Sequence, residues 1–469
     1  MGLGQRSLQT QRAGVEVTGH NLANVNTPGY TRQRLLIVTS PTTPGPMGPQ
    51  GTGADAMAIE QMGNVLVDRQ IQTEESVSGY WEAQQSALQY AQADLGQAID
   101  RQAADASGAD AAQASGSQVG LAEGLADLFN GFQSLATNPT SLSERQVLTM
   151  KAQTLSTQFN QVDQRLDKLT GFLNDSVTTD VATANRLLGE VTTLNEQIYR
   201  SELGTSGVAN DLRDTRQQKL EELAQVTNFQ TVDQSNGMVD IVISGQTLVS
   251  GVQQTDSLET YDAGGGQLLL RTQTGGTALT LTGGSIQGTI SARDGEVKTL
   301  KDDLNTLAAQ LITTVNAIHS SGYSLTGSTK SNFFDGTNAA DIQVNSALLN
   351  NPALIQASGT LGAVGDNSQA LALAQLAEQP QAALHGQTFS QSYGQTVAAM
   401  GQSLSSVNNQ LSDQQVVENL LKSQRDSFSG VSLDEEMTNL MKFQKAFQAS
   451  ARLINTIDEM LDTVLSLKR

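Results

Sequence analysis

Ser432-Leu433-Asp434-Glu435-Glu436-Met437-Thr438-Asn439-Leu440 opens the stretch that decides how this chain is organised, and the pattern it sets runs on to Arg469. Ser432 and Glu435 have capping-box spacing: the serine hydroxyl can accept from the N–H three residues on, while the glutamate reaches back. Apolar residues then recur through Leu433, Met437, Leu440, Phe447, Ala451, Ile454, Leu461 and Leu465, interrupted only by Gln444 and Asp458. Asp434, Glu435 and Glu436 crowd the first turn and Lys468 and Arg469 the end, the charge order a helix dipole favours. No Gly or Pro intervenes. The stretch predicts a long helix with one narrow apolar seam.

At the opposite end of the chain, Leu8, Val15 and Leu22 fall seven apart, with Thr18 and Val25 on the adjoining position. Thr27-Pro28-Gly29 then stops the helix. Two such helices could lie on a globular core, or could pair as a coiled coil with each other and with neighbouring molecules. Ordering a helix costs about 1–2 kcal/mol of backbone entropy per residue. Burying one large apolar side chain contributes about 1.5–3 kcal/mol. A narrow stripe therefore holds its helix only when fully covered. The ends are expected to be soft in a free subunit and rigid in an assembly, with Leu8, Val15, Leu22, Val25, Met437, Leu440, Phe447, Ile454 and Leu461 as the packing residues.

Composition narrows the classes. The 469 residues carry 27 bases against 47 acids, a net charge of −20, which argues against nucleic acid and anionic membrane surfaces as partners. Residues 1–34 reverse that sign, with four arginines against Glu16, so a basic arm joins an acidic body. The absence of cysteine excludes disulfides, thiolate metal sites and cysteine nucleophiles. No apolar run reaches membrane-spanning length, so no membrane insertion is expected, and no cleaved secretion signal opens the chain. With length for two to four domains and only 4% aromatics, thin helical layers suit this chain better than one thick core.

In chain order, Tyr30 to Val38 reads as a strand or extended arm. Pro41, Pro44, Pro46 and Pro49 follow, half of the 8 prolines, and read as a solvated linker. Residues 64–100 look helical through Trp81, Leu88, Leu95 and Ile99; Asp100 to Gly120 is aperiodic; Leu121 to Thr137 is amphipathic. From the capping-box spacing Ser141–Glu144 runs the longest stripe, Leu155 to Ile198, with possible bends at Gly171 and Thr178-Thr179. Asp211 to Ala224 is a shorter charged helix. The period then changes to short β-branched runs from Phe229 through Ser285–Ser291, divided by Asn236-Gly237 and by glycine pairs. Helical stripes return at 294–320 and again from Phe389 to Leu411. The predicted fold is mainly α, elongated and multi-domain. A terminal coiled-coil pair (1–35 with 430–469) joins a long-helix bundle body (36–225 with 293–429), which carries a small all-β insertion (226–292).

Catalytic and ligand-binding patterns are missing. Gly322 and Gly327 have phosphate-loop spacing, but Lys330 falls two residues late. Asp233 to Asp240 has acid spacing near that of a calcium loop, yet Met238 occupies the glycine position and no glutamate closes it, which leaves a hairpin turn. His20, His319 and His385 form no ligand pair and are read as surface or packing residues. No catalytic, cofactor-binding or metal residue is assigned, and the chain is read as a non-enzyme without cofactors.

Three stretches carry a resemblance. Asn21-Leu22-Ala23-Asn24-Val25-Asn26-Thr27-Pro28-Gly29-Tyr30 with Thr31-Arg32-Gln33 is similar to the N-terminal signature of the axial proteins of the bacterial flagellum, the rod, hook and hook-associated family. Gly430 to Glu436 with Phe443 to Arg452 resembles the matching C-terminal signature. In the middle, Asn138-Pro139-Thr140-Ser141 with Arg145, Asn210-Asp211-Leu212-Arg213-Asp214 with Arg216, and Ser285 to Gly288 leading to His319 and Tyr323 are similar to the hook-associated members next to the hook. The lead-in before the first signature is shorter than members usually have, and the β region is short. The resemblance implies a structural component of the hook–filament junction, exported without a cleaved signal through the flagellar type III pathway to an extracellular position. It implies a homo-oligomeric tube of terminal helices, with Asn24, Asn26 and Arg32 fixing the turn out of it. Implied partners are the hook protein, the second junction protein toward the filament and an export chaperone. Alternatives are another axial protein (hook or distal rod subunit), or a secreted adhesin or enzyme with a β-rich binding domain.

Overall fold

The computed structural model describes residues 2–45, 47–95, 120–204 and 207–467. The aperiodic segment Asp100 to Gly120 and the end of the stripe at Ile99 fall almost wholly outside these residues.

One helix organises the body. α4 (Leu142–Glu202) spans 61 residues, about 90 Å at 1.5 Å per residue. Its Ser141 N-cap accepts from the Glu144 N–H at 3.3 Å, as the capping-box spacing suggested. The expected weak points do not break it: the Thr178 and Thr179 hydroxyls donate to carbonyls one turn back, at 3.1 and 2.9 Å, and Gly171 lies in open space. Leu148 to Leu173 of this helix pack into one hydrophobic core with α2 (Val65–Asp94), α3 (Leu121–Thr137), α7 (Lys298–His319), α9 (Ser368–Gln375) and α10 (Phe389–Ser429). Val177 to Val191 pack into a second core with α5 (Asn210–Val226), α6 (Gly284–Ala292) and the β region. A single apolar stripe therefore serves two cores in turn. Three short helices, α8 (Ser346–Asn350) among them, and a two-stranded pair trim the far end.

The β region is smaller than the sequence suggests. Strands β5 (Gln230–Asp233), β6 (Val239–Ile243), β7 (Gln246–Ser250) and β8 (Gln253–Gln254) form an antiparallel sheet in sequential order, beside the hairpin β9 (Leu258–Asp262) and β10 (Leu268–Thr272). Asn236-Gly237 does turn a hairpin, between Asp233 and Val239. Ser285–Ser291, read as a strand, is helix α6. Its glycines serve close helix packing: a Cβ at Gly288 would stand 2.2 Å from the Tyr80 carbonyl oxygen of α2. α6 runs into α7 through a π-helical turn, Arg293–Val297, whose arginine is buried and donates to Asn174, Asp294 and the Leu268 carbonyl.

The proline-rich stretch is also structured. β1 (Gln33–Thr39) pairs antiparallel with β4 (Ala54–Gln61), and the ribbon is tipped by β2 (Thr43–Gly45) and β3 (Gly48–Gln50), where Pro44 sits opposite Pro49. What reads as a solvated linker is the end of a two-stranded ribbon. Proline is tolerated there because both strands are edges with no inner ladder to break.

Candidate assembly interface

The terminal helices α1 (Gly2–Ala23) and α11 (Leu433–Ser466) lie side by side and antiparallel. Their register follows from four contacts: Gly4 against Ile454, the Ser7 hydroxyl 2.7 Å from that of Ser450, Gly14 against Phe443, and Asn21 bonded to Glu436 at 3.0 Å. On α1 the contact line is made of small and polar residues. A Cβ at Gly14 would fall 2.5 Å from the Phe443 ring, so that ring lies on bare backbone. Large residues of α11 fill the space that small residues of α1 leave.

The sequence-predicted seam stands beside this line. Leu8, Val15 and Leu22 each follow a contact residue by one position, about 100° further round the helix, and are half-buried. Val25 and Asn24 are half-buried past the helix end and Asn26 is exposed. On α11, Ile454 packs on Gly4 and Leu440 is half-buried, whereas Met437, Phe447 and Leu461 are exposed. Leu433, Met441, Met460, Val464 and Leu465 are exposed as well. The ribbon covers another side of α1. The Thr10 hydroxyl donates to the Ala54 carbonyl at 2.9 Å, Arg6 lies 3.6 Å from Asp55, and Leu3 is the nearest neighbour of Gly53 at the tip.

Where tail meets body the contacts turn polar. Asn21 uses its whole amide: Nδ2 donates to the Gln33 carbonyl (2.8 Å) and to Glu436, while Oδ1 accepts from the Gln33 N–H (2.9 Å) and the Tyr30 hydroxyl (2.8 Å). Arg32 reaches both Glu435 and Glu436 at 2.7 Å, and its N–H donates to the Ser429 carbonyl. These bonds explain why the capping box read at Ser432 does not form: Glu435 is drawn to Arg32, and Ser432 makes no side-chain cap. From the body, Asp214 accepts from the Thr31 N–H and from Gln61, both at 2.9 Å. Asp211 accepts from Gln33 at 2.7 Å and faces His20 at 3.3 Å. Burial raises the Asp214 carboxyl to about 6, partly countered by its bonds to Thr31. Burial, and then the carboxylates of Asp211, Asp214 and Glu436, push the Tyr30 hydroxyl up. A cleft of about 1050 Å³ opens beside this joint, between the 24–32 turn, α5 and the end of α10.

Spacing alone did not single out Asn21, Tyr30, Gln33, Gln61, Asp211, Asp214 or Glu436. Most of them lie within the motifs that carry the resemblance. The Asn21–Gln33 signature and the Asn210–Asp214 segment, bonded across up to 183 residues of chain, are the two halves of one joint. The body motifs are likewise clamps. Arg145 is fully buried and donates to the Pro139 and Ile355 carbonyls; Arg216 donates to Asn195 and the Gly237 carbonyl. His319 is buried between the Ser331 carbonyl and the Gln356 N–H.

Among the described residues no group of three or more His, Cys, Asp or Glu could hold a metal ion, and no helix is long and apolar enough to cross a membrane. The arrangement is one of helix packing, a ribbon contact and a hydrogen-bonded joint.

Comparison with known proteins gives three family matches in chain order. Residues 2–31 match the flagella basal body rod protein family, residues 106–334 the helical domain of the flagellar hook-associated protein FlgK, and residues 422–467 the C-terminal family of the basal body rod proteins FlgE, FlgF and FlgG. Flagellar hook-associated protein 1 of Bacillus subtilis is 26% identical, over 98% of this chain and 96% of its own. The protein of that name from Salmonella typhimurium is 23% identical, over 98% of both chains. The solved flagellar hook junction protein FlgK of Burkholderia pseudomallei shares the fold, with a TM-score of 0.63 at 16% identity over 77% of this chain and all of that one.

Proposed function

This chain belongs to the family of flagellar hook-associated protein 1, and from that premise we propose that it joins hook to filament by packing its tail, α1 with α11, into a tube of like subunits. The observation that carries the reading is the tail itself. Its helices are closed against each other and α1 also against the ribbon, yet α11 leaves Met437, Phe447 and Leu461 exposed along its length. A surface helix with no further partner would place polar residues there.

The tail comprises 1–35 and 430–469, and the ribbon to residue 61, which lies against α1, opens the body. The body is 36–225 with 293–429, and the β-rich insertion is 226–292. Leu8, Val15, Leu22, Val25, Met437, Leu440, Phe447 and Leu461 form contacts between subunits, while Asn24, Asn26 and Arg32 shape the turn into the body. The partners are the hook protein, further copies of this chain and the second junction protein, with a chaperone shielding the exposed α11 flank before export. The protein works outside the cell as a structural element, without catalysis.

The test is to mix the purified protein with isolated hooks and view their distal ends by electron microscopy. Wild-type protein adds a layer at the tip. Phe447→Asp, at an exposed position, keeps the circular dichroism melt of the free protein and reduces tip incorporation at least tenfold. Incorporation of that variant at the wild-type level would remove the tail flank from the interface.

A further inference from the structure

α10 turns inside out along its length. Phe389, Tyr393, Met400, Leu404, Val407 and Leu411 form its buried face. On the opposite side, Gln395, Gln402 and Asn409 recur every seven residues and are exposed, as a solvated face should be. The next member of that outward line is Val416, 67% exposed, followed one turn on by Leu420, also 67% exposed, with Val417 beside them. Over the same turns the inward side becomes polar. Gln414 donates to the Glu74 carbonyl at 3.0 Å, Lys422 lies 2.6 Å from Glu75, and Arg425 lies 2.5 Å from Glu221. Of the four charged residues in 414–428, Glu418, Lys422 and Arg425 are engaged in ion pairs, and Asp426 is exposed at the far end. Outward apolar and inward charged is the reverse of what a helix against water adopts.

The inversion occupies the end of α10 that meets the joint, where Phe428 is also exposed. Five residues later the exposed apolar side of α11 begins, at Leu433 and Met437. We infer that the 414–428 segment of α10 is covered in the assembled state by a second copy of this chain, so that contact between subunits climbs from the tail onto the inner end of the body. Continuity with the tail flank gives the direction, and charge gives the place. Copies of a chain with net charge −20 repel one another. They approach at least cost where the charges of a helix are already neutralised inward and its outer face is apolar. A contact between different surfaces of successive copies is also the kind that propagates around a ring or helix. The inference rests on the proposed tail assembly and extends it to a surface that tail packing does not require.

The chain contains no cysteine, so single cysteines report without background. Leu420→Cys and Asn409→Cys variants are treated with maleimide, free and after addition to isolated hooks. Both label at similar rates in the free protein. On the hook tip, labelling of Leu420→Cys falls at least tenfold while Asn409→Cys is unchanged. A benzophenone maleimide carried by Leu420→Cys then cross-links two copies of this chain. Equal labelling of Leu420→Cys before and after assembly overturns the inference, as does protection already present in the free protein or a cross-link only to hook protein. Absence of wild-type protein from hook tips would instead overturn the tail reading beneath it.

Discussion

Asn21 spends all four of its hydrogen-bonding capacities inside the joint, two of them on the backbone of buried Gln33. Asn21→Leu keeps the volume and strands the Gln33 N–H and carbonyl, at about 1–3 kcal/mol for each orphaned group. The expected result is roughly 30-fold faster amide exchange in α1 for about 2 kcal/mol lost, with α4 unaffected. Uniform loss across both helices would mean that the joint is not a separate unit. His319 sets a pH dependence in the body. Its Nδ1–H donates to Ser331 and its Nε2 accepts from Gln356, so protonation would break the second bond, and burial holds its pKa down to about 4. The unfolded chain takes up that proton near 6.5 and the folded one only near 4, so stability is full above 6.5 and falls as the pH drops through that window, by up to about 3 kcal/mol. Asp68 and Asp214 have the opposite sign. Burial raises both to about 6, so the folded state takes up protons first and their contribution improves as the pH falls through 6. His319→Gln, which can keep both bonds, should flatten the loss in the body between pH 6.5 and 4 as read by urea melts. An unchanged slope would assign the loss elsewhere.

At the scale of elements, the α1–α11 contact shows where pattern reading reaches its limit. Apolar periodicity finds what is greasy, and so it finds Leu8, Val15 and Leu22. The contact line of Gly4, Ser7, Gly14 and Asn21 is small and polar, and it is visible only once Phe443 and Ile454 lie on it. Gly14→Leu should therefore part the two helices, at about 1–3 kcal/mol or more for overpacking against backbone. Gly19→Leu, with nothing within 4 Å of its added Cβ, serves as the control and should leave the helical melt unchanged. Equal effects would mean that the pair tolerates repacking. α4 was legible because its stripe is buried on turn after turn, and the hairpin at Asn236-Gly237 because its chemistry is local. The segment 285–291 misled because its glycines, spaced as if for turns, serve helix crossings. The prolines of 41–49 misled because they mark a ribbon tip as readily as a linker. The capping box at Ser432 was outcompeted by Arg32, a residue four hundred positions away that no local rule weighs. The joint was legible only as motif, since what unites Asn21, Gln33, Asp211 and Asp214 is their meeting in space.

The whole molecule is a lever with its grip at one end. α4 carries two cores in series, its C-terminal end lies beside the joint through the Arg213–Glu202 ion pair, and its start lies on the order of 90 Å away. The body can therefore be stable alone, whereas the tail has one helix contact, one ribbon and a polar clasp. Local stability follows buried apolar contact, and the tail has little of it: Glu436 is the only buried residue of α11. In the free protein, amides of α1 should exchange faster than those of α4, and those of α11 faster still beyond Ile454, its contact with Gly4, where Met460, Leu461, Val464 and Leu465 are exposed. If the tail packs against neighbouring copies as proposed, the order should compress on hook tips, because association adds its energy to each tail. Hydrogen exchange read by mass spectrometry on free and tip-bound protein separates the two states. If α11 beyond Ile454 is already as protected as α4 in the free chain, the tail is a finished domain, and the energy that joins subunits must come from the body surface around Leu420 instead.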